Sequence, residues 1–208
     1  MHTKLAKRQI VVGVILASLW IPVSETCAQE SSDSAASSNH GVELYISEDA
    51  LQVSYIRQTY INELGDVDLR GGIFLNESRD LVGVADILSE VADPERFSRW
   101  TFRIGPRLYG ALLNLENQDI FSIGFGGEAS LALGQNQTVT LHLSGFYAPD
   151  ILTFGEADNV VDVGVRAEMQ LNEQLIGFIG YRNFEFDLPR ARDREVDSGL
   201  HLGFRRRF

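Results

Sequence analysis

Hydrophobic and polar residues alternate along most of the chain after Trp100. The alternation has the period of two that is expected of strands, whose successive side chains point to opposite faces. Six such segments lie between Trp100 and Phe208, and several are longer than ten residues. Globular strands are usually shorter, whereas a tilted strand needs ~9–11 residues to cross a membrane. The pattern therefore favours membrane-spanning strands with one apolar and one polar face.

The last segment carries this alternation to the end of the chain. Leu200, Leu202, Phe204 and Phe208 share one face, while the other face is polar or glycine. An apolar strand that ends on an aromatic residue is typical of the closing strand of an outer-membrane barrel. We expect Leu202, Phe204 and Phe208 to form the insertion signal that the barrel assembly machinery binds. Arg206 departs from the apolar face, and its long side chain can lift the charge to the membrane interface.

The segment before Trp100 is less regular. Val42–Ile46, Leu51–Tyr60 and Val67–Asn76 are predicted strands, whereas the apolar residues of Leu81–Val91 fit a strand or a short helix about equally well. Four front strands and six later ones give ten, with eight as the alternative if two front segments lie outside the wall. We therefore predict an all-β fold, a transmembrane antiparallel up-and-down β-barrel of about ten strands.

Connections after Trp100 alternate in length. Counted back from a periplasmic Phe208, the short turns 134–137 and 172–174 fall on the periplasmic side, where such barrels place short turns. The longer connections, which fall outside, are 114–119, 148–159 and 187–195.

The connection 148–159 is the most distinctive. It combines a proline with apolar side chains that would form an adhesive patch if they were exposed. We expect these residues to fold inward over the mouth or to pack on the barrel rim, as a lid loop. They are Pro149, Ile151, Leu152 and Phe154.

The first forty residues differ from the rest. Basic residues, an apolar run and small residues follow one another, which predicts a secretory signal peptide over 1–28 that is cleaved after Ala28. The alternative is a lipoprotein signal in which Cys27 is acylated. Residues 29–40 are rich in serine and are predicted to be a flexible periplasmic leader. The barrel is then expected over 41–208.

Charge and composition exclude several classes. The chain has a net charge of −11, and the part after the signal is near −13, so the basic footprint of a nucleic-acid partner is absent. No long apolar run follows the signal, which excludes a helical membrane protein. No Cys/His cluster has metal-ligand spacing, and Phe125-Gly-Gly127 lacks the lysine and helix of a nucleotide loop. We expect no metal and no cofactor.

If the apolar faces meet lipid, the polar faces line the lumen, because charge on the lipid side is costly. Two interpretations stay open: a non-conducting structural or surface-interaction barrel that is filled by paired charges, and a narrow porin-like or gated passage whose arginines favour anions among small solutes. Ten strands leave little room inside, so any conductance should be small. The expected lumen-lining residues are Arg103, Arg107, Glu128, His142, Asp162, Arg166, Glu168, Arg182, His201, Arg205 and Arg207.

A third interpretation is a hydrolase. The spacing of His142, Ser144 and Glu156 is similar to the His-x-Ser…Glu triad of outer-membrane lipid A 3-O-deacylases, in which the serine attacks an ester and the histidine takes its proton. However, His142 and Ser144 lie on the predicted lumenal face, away from a lipid substrate, and Gly145 stands where that family has asparagine. We therefore assign no catalytic residue and expect no enzyme activity.

Four segments of the last third are more specific than the alternation. They are 145–158 (GFYAPDILTFGEAD), 163–171 (VGVRAEMQL), 180–182 (GYR) and 199–208 (GLHLGFRRRF). They resemble the YfaZ family of Gram-negative outer membrane proteins. The resemblance is close over the last third of the chain and loose over 100–133. Before residue 100 it is limited to the succession of strands and turns. It implies a barrel in a Gram-negative outer membrane, with lipid and lipopolysaccharide as partners, and assigns no activity to particular residues.

Overall fold

The computed structural model describes residues 39–91, 98–114, 118–134, 138–155, 157–188 and 194–208. The predicted signal peptide and nearly all of the predicted leader lie outside the described residues. Within the described part, no helix has the length and apolar character needed to cross a membrane.

Eleven strands are found in the described chain. They are β1 (Asn39–Ser47), β2 (Ala50–Ile61), β3 (Gly65–Asn76), β4 (Leu81–Glu90), β5 (Trp100–Leu113), β6 (Gln118–Leu133), β7 (Val139–Ala148), β8 (Thr153–Gly155), β9 (Asn159–Gln170), β10 (Leu175–Asp187) and β11 (Arg194–Arg207). A single 3-10 turn, Asp150–Leu152, precedes β8.

Ten of these strands close into an antiparallel barrel. Strand β1 pairs with β11 and seals the ring, with Gly41 opposite Arg207 and Ser47 opposite His201. The short β8 adds only to the end of β6, so β7 pairs directly with β9. The predicted ten-stranded barrel is confirmed, and the segment left open as strand or helix is strand β4.

Alternation along each strand separates an outer from an inner face. On the outer face the large apolar side chains are exposed; Phe125 is 56% and Val163 43% exposed. Such a surface is unfavourable in water and is suited to hydrocarbon. The inner face carries the buried residues, both apolar and charged. The polarity of the molecule is therefore the reverse of that of a water-soluble domain.

Asn39 and Phe208 lie at the same end of the barrel, which we call the terminal end; the other is the far end. After Trp100, the far-end connections 149–158 and 188–193 are longer than both connections at the terminal end, as the sequence predicts. The connection 114–117, which was also expected to be long, has only four residues. The front half differs, because residues 48–49 make a two-residue turn at the far end and residues 91–99 make a longer connection at the terminal end.

Candidate functional site

The interior of the barrel is the candidate functional site. All eleven residues that the sequence analysis expects in the lumen line one of two interior cavities. Four of them, Arg107, Asp162, Glu168 and His201, are buried, and the other seven are partly buried.

Asp162 is the centre of the charge network in the middle of the barrel. Arg107 Nη1 donates a hydrogen bond to its Oδ2 at 2.9 Å, and Arg182 donates to both carboxylate oxygens, also at 2.9 Å. Arg107 also donates to Asp86 at 2.7 and 3.0 Å, and Arg182 to Gln52 at 2.9 Å. Because these five residues come from five strands, the contacts cross the lumen and tie its walls together.

A second set of contacts continues this network toward the terminal end. Arg70 on β3 donates to both carboxylate oxygens of Glu128 on β6, at 2.5 and 2.7 Å, in the two-pronged geometry that a guanidinium favours. Arg70 also contacts Asp68 at 3.2 Å. Arg103 contacts Asp68 at 3.6 Å and Glu90 at 3.2 Å.

A separate charge cluster lies beside the β1–β11 seam. Arg205 donates to Glu43 at 2.6 and 2.9 Å and to Glu168 at 3.0 Å. Arg166 contacts the same two carboxylates at 3.1 and 2.7 Å. His142 Nε2 lies 3.2 Å from Glu168. Two arginines thus face two carboxylates, and the charges balance within the cluster.

Aromatic side chains fill the lumen nearer the far end. We call Tyr45, Phe74, Tyr109, Phe184 and Phe186 the aromatic plug; all but Tyr45 have no exposed surface. The ring of Phe184 lies 6.1 Å from that of Phe74 and 5.5 Å from that of Tyr109. Three wall strands separate β3 from β10 on the shorter way round the ring, so these contacts span the interior. Buried aliphatic residues surround the plug, among them Val82, Leu113, Ile120, Val160 and Val196.

A polar collar covers the plug at the far end. Asp197 accepts a hydrogen bond from Ser47 Oγ at 2.6 Å. Asp80 accepts hydrogen bonds from the backbone N–H of Asn114 at 3.0 Å and from Asn76 Nδ2 at 3.1 Å. Since these buried groups are hydrogen-bonded, the far end is closed by satisfied polar contacts above the apolar packing.

Below the plug, the described residues enclose a central cavity and a larger one toward the terminal end. The central cavity of about 100 Å³ lies among the residues of the Asp162 network. The larger cavity of about 250 Å³, which we call the vestibule, lies toward the terminal end. Arg70, Glu128 and Arg166 line both cavities and therefore lie between them.

The predicted lid loop lies at the far-end rim. Strand β8 extends the wall beside β6, and Phe154 stacks on Phe121 with 6.3 Å between ring centroids. Ile151 is 82% exposed, while Pro149 and Leu152 are partly buried. Phe154 therefore packs on the rim, one of the two arrangements expected from the sequence, whereas Ile151 neither folds inward nor packs.

Of the residues proposed for a hydrolase, the structure describes His142 and Ser144, and no hydrogen bond joins these two side chains. His142 Nδ1 lies 2.7 Å from Ser130 Oγ, and its other ring nitrogen is directed toward Glu168. Glu156 lies outside the described residues. Nor do the described residues contain a group of three or more histidine, cysteine or acidic side chains that could hold a metal ion.

Several interior residues escaped the sequence analysis. Glu43, Asp68, Arg70 and Asp86 belong to the charge networks but come from the front strands, whose polar faces were not assigned. The alternation of apolar and polar residues could have identified them; Glu43, for example, lies between Val42 and Leu44. The aromatic plug had no comparable signal, because an inner phenylalanine and an outer one look alike in sequence.

The closing strand places Leu202, Phe204 and Phe208 on the outer face, where all three are exposed. Arg206 shares that face, and its guanidinium lies 5.2 Å from the centroid of the Phe208 ring. The departure noted in the sequence is therefore a cation–π contact at the end of the wall.

Among the solved structures that match the chain is a bacterial polysaccharide outer membrane secretin, with 12% identity and a TM-score of 0.45 over 81% of this chain and 69% of the other. Another is the outer membrane channel DcaP of Acinetobacter baumannii, with 8% identity and a TM-score of 0.42 over 80% of this chain and 54% of the other. No curated protein matches. A family model described as YfaZ precursor matches residues 100–208, just over half of the chain and all of it from β5 onward. The chain therefore belongs to the YfaZ family, and it is an outer-membrane β-barrel protein.

Proposed function

We propose that this protein is a structural barrel of a Gram-negative outer membrane whose lumen is closed to ions and solutes. The observation that carries the proposal is the aromatic plug, whose rings meet across the full width of the lumen with no exposed surface except at Tyr45. An ion would have to shed its water to pass such an apolar layer, and hydrophobic constrictions block conduction for that reason.

The charge networks support the same role. Several of the pairs join strands that are distant in sequence; Glu43 and Arg166, for example, are 123 residues apart. Replacement of buried ion pairs by apolar residues is often neutral, so their contribution to stability alone is modest. Their directional hydrogen bonds instead favour one closed arrangement of the strands over its alternatives.

Planar-bilayer recording of the purified, folded protein tests the proposal. We expect no conductance steps at any voltage that the bilayer tolerates. Insertion is verified separately by the heat-dependent mobility of the folded barrel on SDS gels. The double variant Phe74→Ala/Phe184→Ala serves as the positive control, because it removes two rings that meet in the lumen. Discrete conductance steps from the unaltered protein would refute the proposal.

A gated passage for small solutes is the second candidate. The specific observation in its favour is that the vestibule and the central cavity share Arg70, Glu128 and Arg166 and lie in series below the plug. Movement of the plug and of the polar collar above it would then open a path. Swelling of proteoliposomes in small sugars and amino acids tests this candidate: swelling faster than that of protein-free vesicles supports it, and an equal rate counts against it.

The outer surface suggests the partners. We propose that the exposed apolar wall contacts outer-membrane lipid and lipopolysaccharide, and that the β11 face with Leu202, Phe204 and Phe208 is bound by the barrel assembly machinery during insertion. Deletion of Phe208 should lower the amount of folded protein in the outer membrane. Substitution of the neighbouring inward-facing Arg207 by glutamine is the matched control, and it should leave assembly nearly unchanged.

A further inference from the structure

Arginines outnumber carboxylates among the residues that line the vestibule, although the whole chain has a net charge of −11. Six arginines and three carboxylates line it among the described residues. The arginines are Arg70, Arg99, Arg103, Arg166, Arg205 and Arg207. This excess of positive charge occurs inside a wall of low polarity, where a fixed charge acts more strongly than it does in water.

The three carboxylates do not cancel this excess. Glu128 is held by Arg70 at 2.5 and 2.7 Å, and Glu168 is held by Arg166 at 2.7 Å. Asp68 contacts Arg70 at 3.2 Å. Arg103 and Arg205 are paired as well, with Glu90 at 3.2 Å and Glu43 at 2.6 Å. Among the described residues, the excess positive charge of the vestibule therefore rests on Arg99 and Arg207.

Several donors around the vestibule lack an acceptor. The side chains of Arg99 and Arg207 have no carboxylate within 4 Å among the described residues. The Nε atoms of Arg70 and Arg103 are buried and have no hydrogen-bond partner in the described part of the chain. A buried donor without an acceptor is costly, so a bound oxyanion would recover that cost at the two Nε atoms. Arg99 is exposed and Arg207 is partly buried, so these two side chains would contribute through their charge.

We propose that the vestibule is a binding site for a small multivalent oxyanion that carries phosphate or carboxylate groups. The guanidinium fork matches both groups in its two-pronged geometry. Hydroxyl groups of Thr101, Ser130 and Thr140 line the same space and supply neutral donors. A volume of about 250 Å³ suits a small ligand rather than a polymer. The ligand enters from the terminal end, so the site is independent of whether the plug opens.

Isothermal titration of the folded, detergent-solubilised barrel tests this site. Inorganic pyrophosphate is the phosphate probe and citrate is the carboxylate probe. We expect saturable binding of at least one probe at a single site, and an affinity that falls as the salt concentration rises. Binding of one probe alone identifies the anionic group that the site prefers, and binding of both indicates general oxyanion recognition. The absence of saturable binding for both probes would overturn the proposal.

The double variant Arg99→Gln/Arg207→Gln removes the two cations that have no carboxylate partner. It should weaken binding by ~10-fold or more, because charge-assisted hydrogen bonds to the ligand are lost. Arg206→Gln is the matched control, since it removes the same charge from the adjacent position on the outer face. An unchanged affinity in that control supports a site inside the vestibule. A loss as large as that of the double variant would show that only general surface charge attracts the anion. Conductance measurements on the unaltered protein remain a separate test, so failure of one proposal leaves the other standing.

Discussion

The two halves of the lumen contain different kinds of side-chain contact inside one continuous apolar wall. Toward the far end, aromatic and aliphatic side chains pack against one another across the interior. In the middle and toward the terminal end, arginines and carboxylates fill the space and leave the vestibule between them. The comparison shows that the outer face of the barrel wall is apolar throughout, whereas the side chains inside can be either apolar or ionic.

The apolar packing and the ion pairs of the lumen respond differently to substitution. Apolar packing is non-directional, so the loss of a ring costs mainly the volume and contacts that disappear. A buried ion pair is directional, and removal of one partner leaves the other as an uncompensated charge. Substitutions in the two halves should therefore change the free energy of unfolding by different amounts.

The largest effect is expected at Asp162. Asp162→Leu leaves Arg107 and Arg182 without their shared carboxylate, and we expect the free energy of unfolding to fall by about 5 kcal/mol, the upper end of the range for a broken buried pair. Equilibrium unfolding by urea in lipid vesicles measures it. A loss below that of the plug variant Phe184→Ala would mean that water reaches this network and that the two halves differ less than proposed.

The next largest effect is expected in the plug. Phe184→Ala removes a ring that contacts Phe74, Tyr109 and Phe186, and it should lower the free energy of unfolding by about 4 kcal/mol, as is typical of buried phenylalanines. The same unfolding measurement applies. Phe125→Ala is the matched control on the outer face, and a cost equal to that of Phe184→Ala would contradict the view that packing across the lumen closes the barrel.

A smaller effect is expected at Gly203, on the inner face of the closing strand. A Cβ atom there would lie 2.1 Å from the carbonyl oxygen of Leu44 and 2.4 Å from Cζ of Phe178. Gly203→Ala should therefore destabilise the fold by about 2 kcal/mol through overpacking. Gly110→Ala, where a Cβ meets nothing within 4 Å, should change stability by less than about 0.5 kcal/mol. Equal effects would mean that the interior can relax around the added methyl group.

The smallest effect is expected at Arg206 on the outer face. Arg206→Leu should change the free energy of unfolding by less than about 1 kcal/mol, because a charge near the membrane interface costs little. Arg205→Leu, one residue earlier on the inner face, should cost much more because Glu43 loses two hydrogen bonds. Unfolding of the two variants in the same vesicles compares them, and similar losses would place both side chains in the same environment.

Strand β4 shows where sequence reasoning becomes ambiguous. Val82 and Leu88 are fully buried on the inner face, whereas Leu81 and Ile87 are exposed on the outer face. Apolar residues on both faces remove the alternation that marks a membrane strand, so the segment resembles a helix. The ambiguity arises because this strand contributes to the apolar filling of the lumen, where the inner face loses its polar signature.

From β5 onward the alternation alone assigned nearly every side chain to the correct face, and it indicated the barrel, its last six wall strands and the residues available to line the lumen. Because one face of each strand meets lipid and the other faces the enclosed interior, hydrophobicity alternates along the strand with a period of two. This pattern involves only neighbouring residues, so it can be recognised in the sequence. The side-chain contacts inside the lumen could not be predicted in this way. Arg182 contacts Gln52 at a separation of 130 residues, and Phe74 contacts Phe184 across the lumen. Those contacts depend on the register at which β1 meets β11 and on the tilt of the closed ring, and both emerge only when all ten strands have come together.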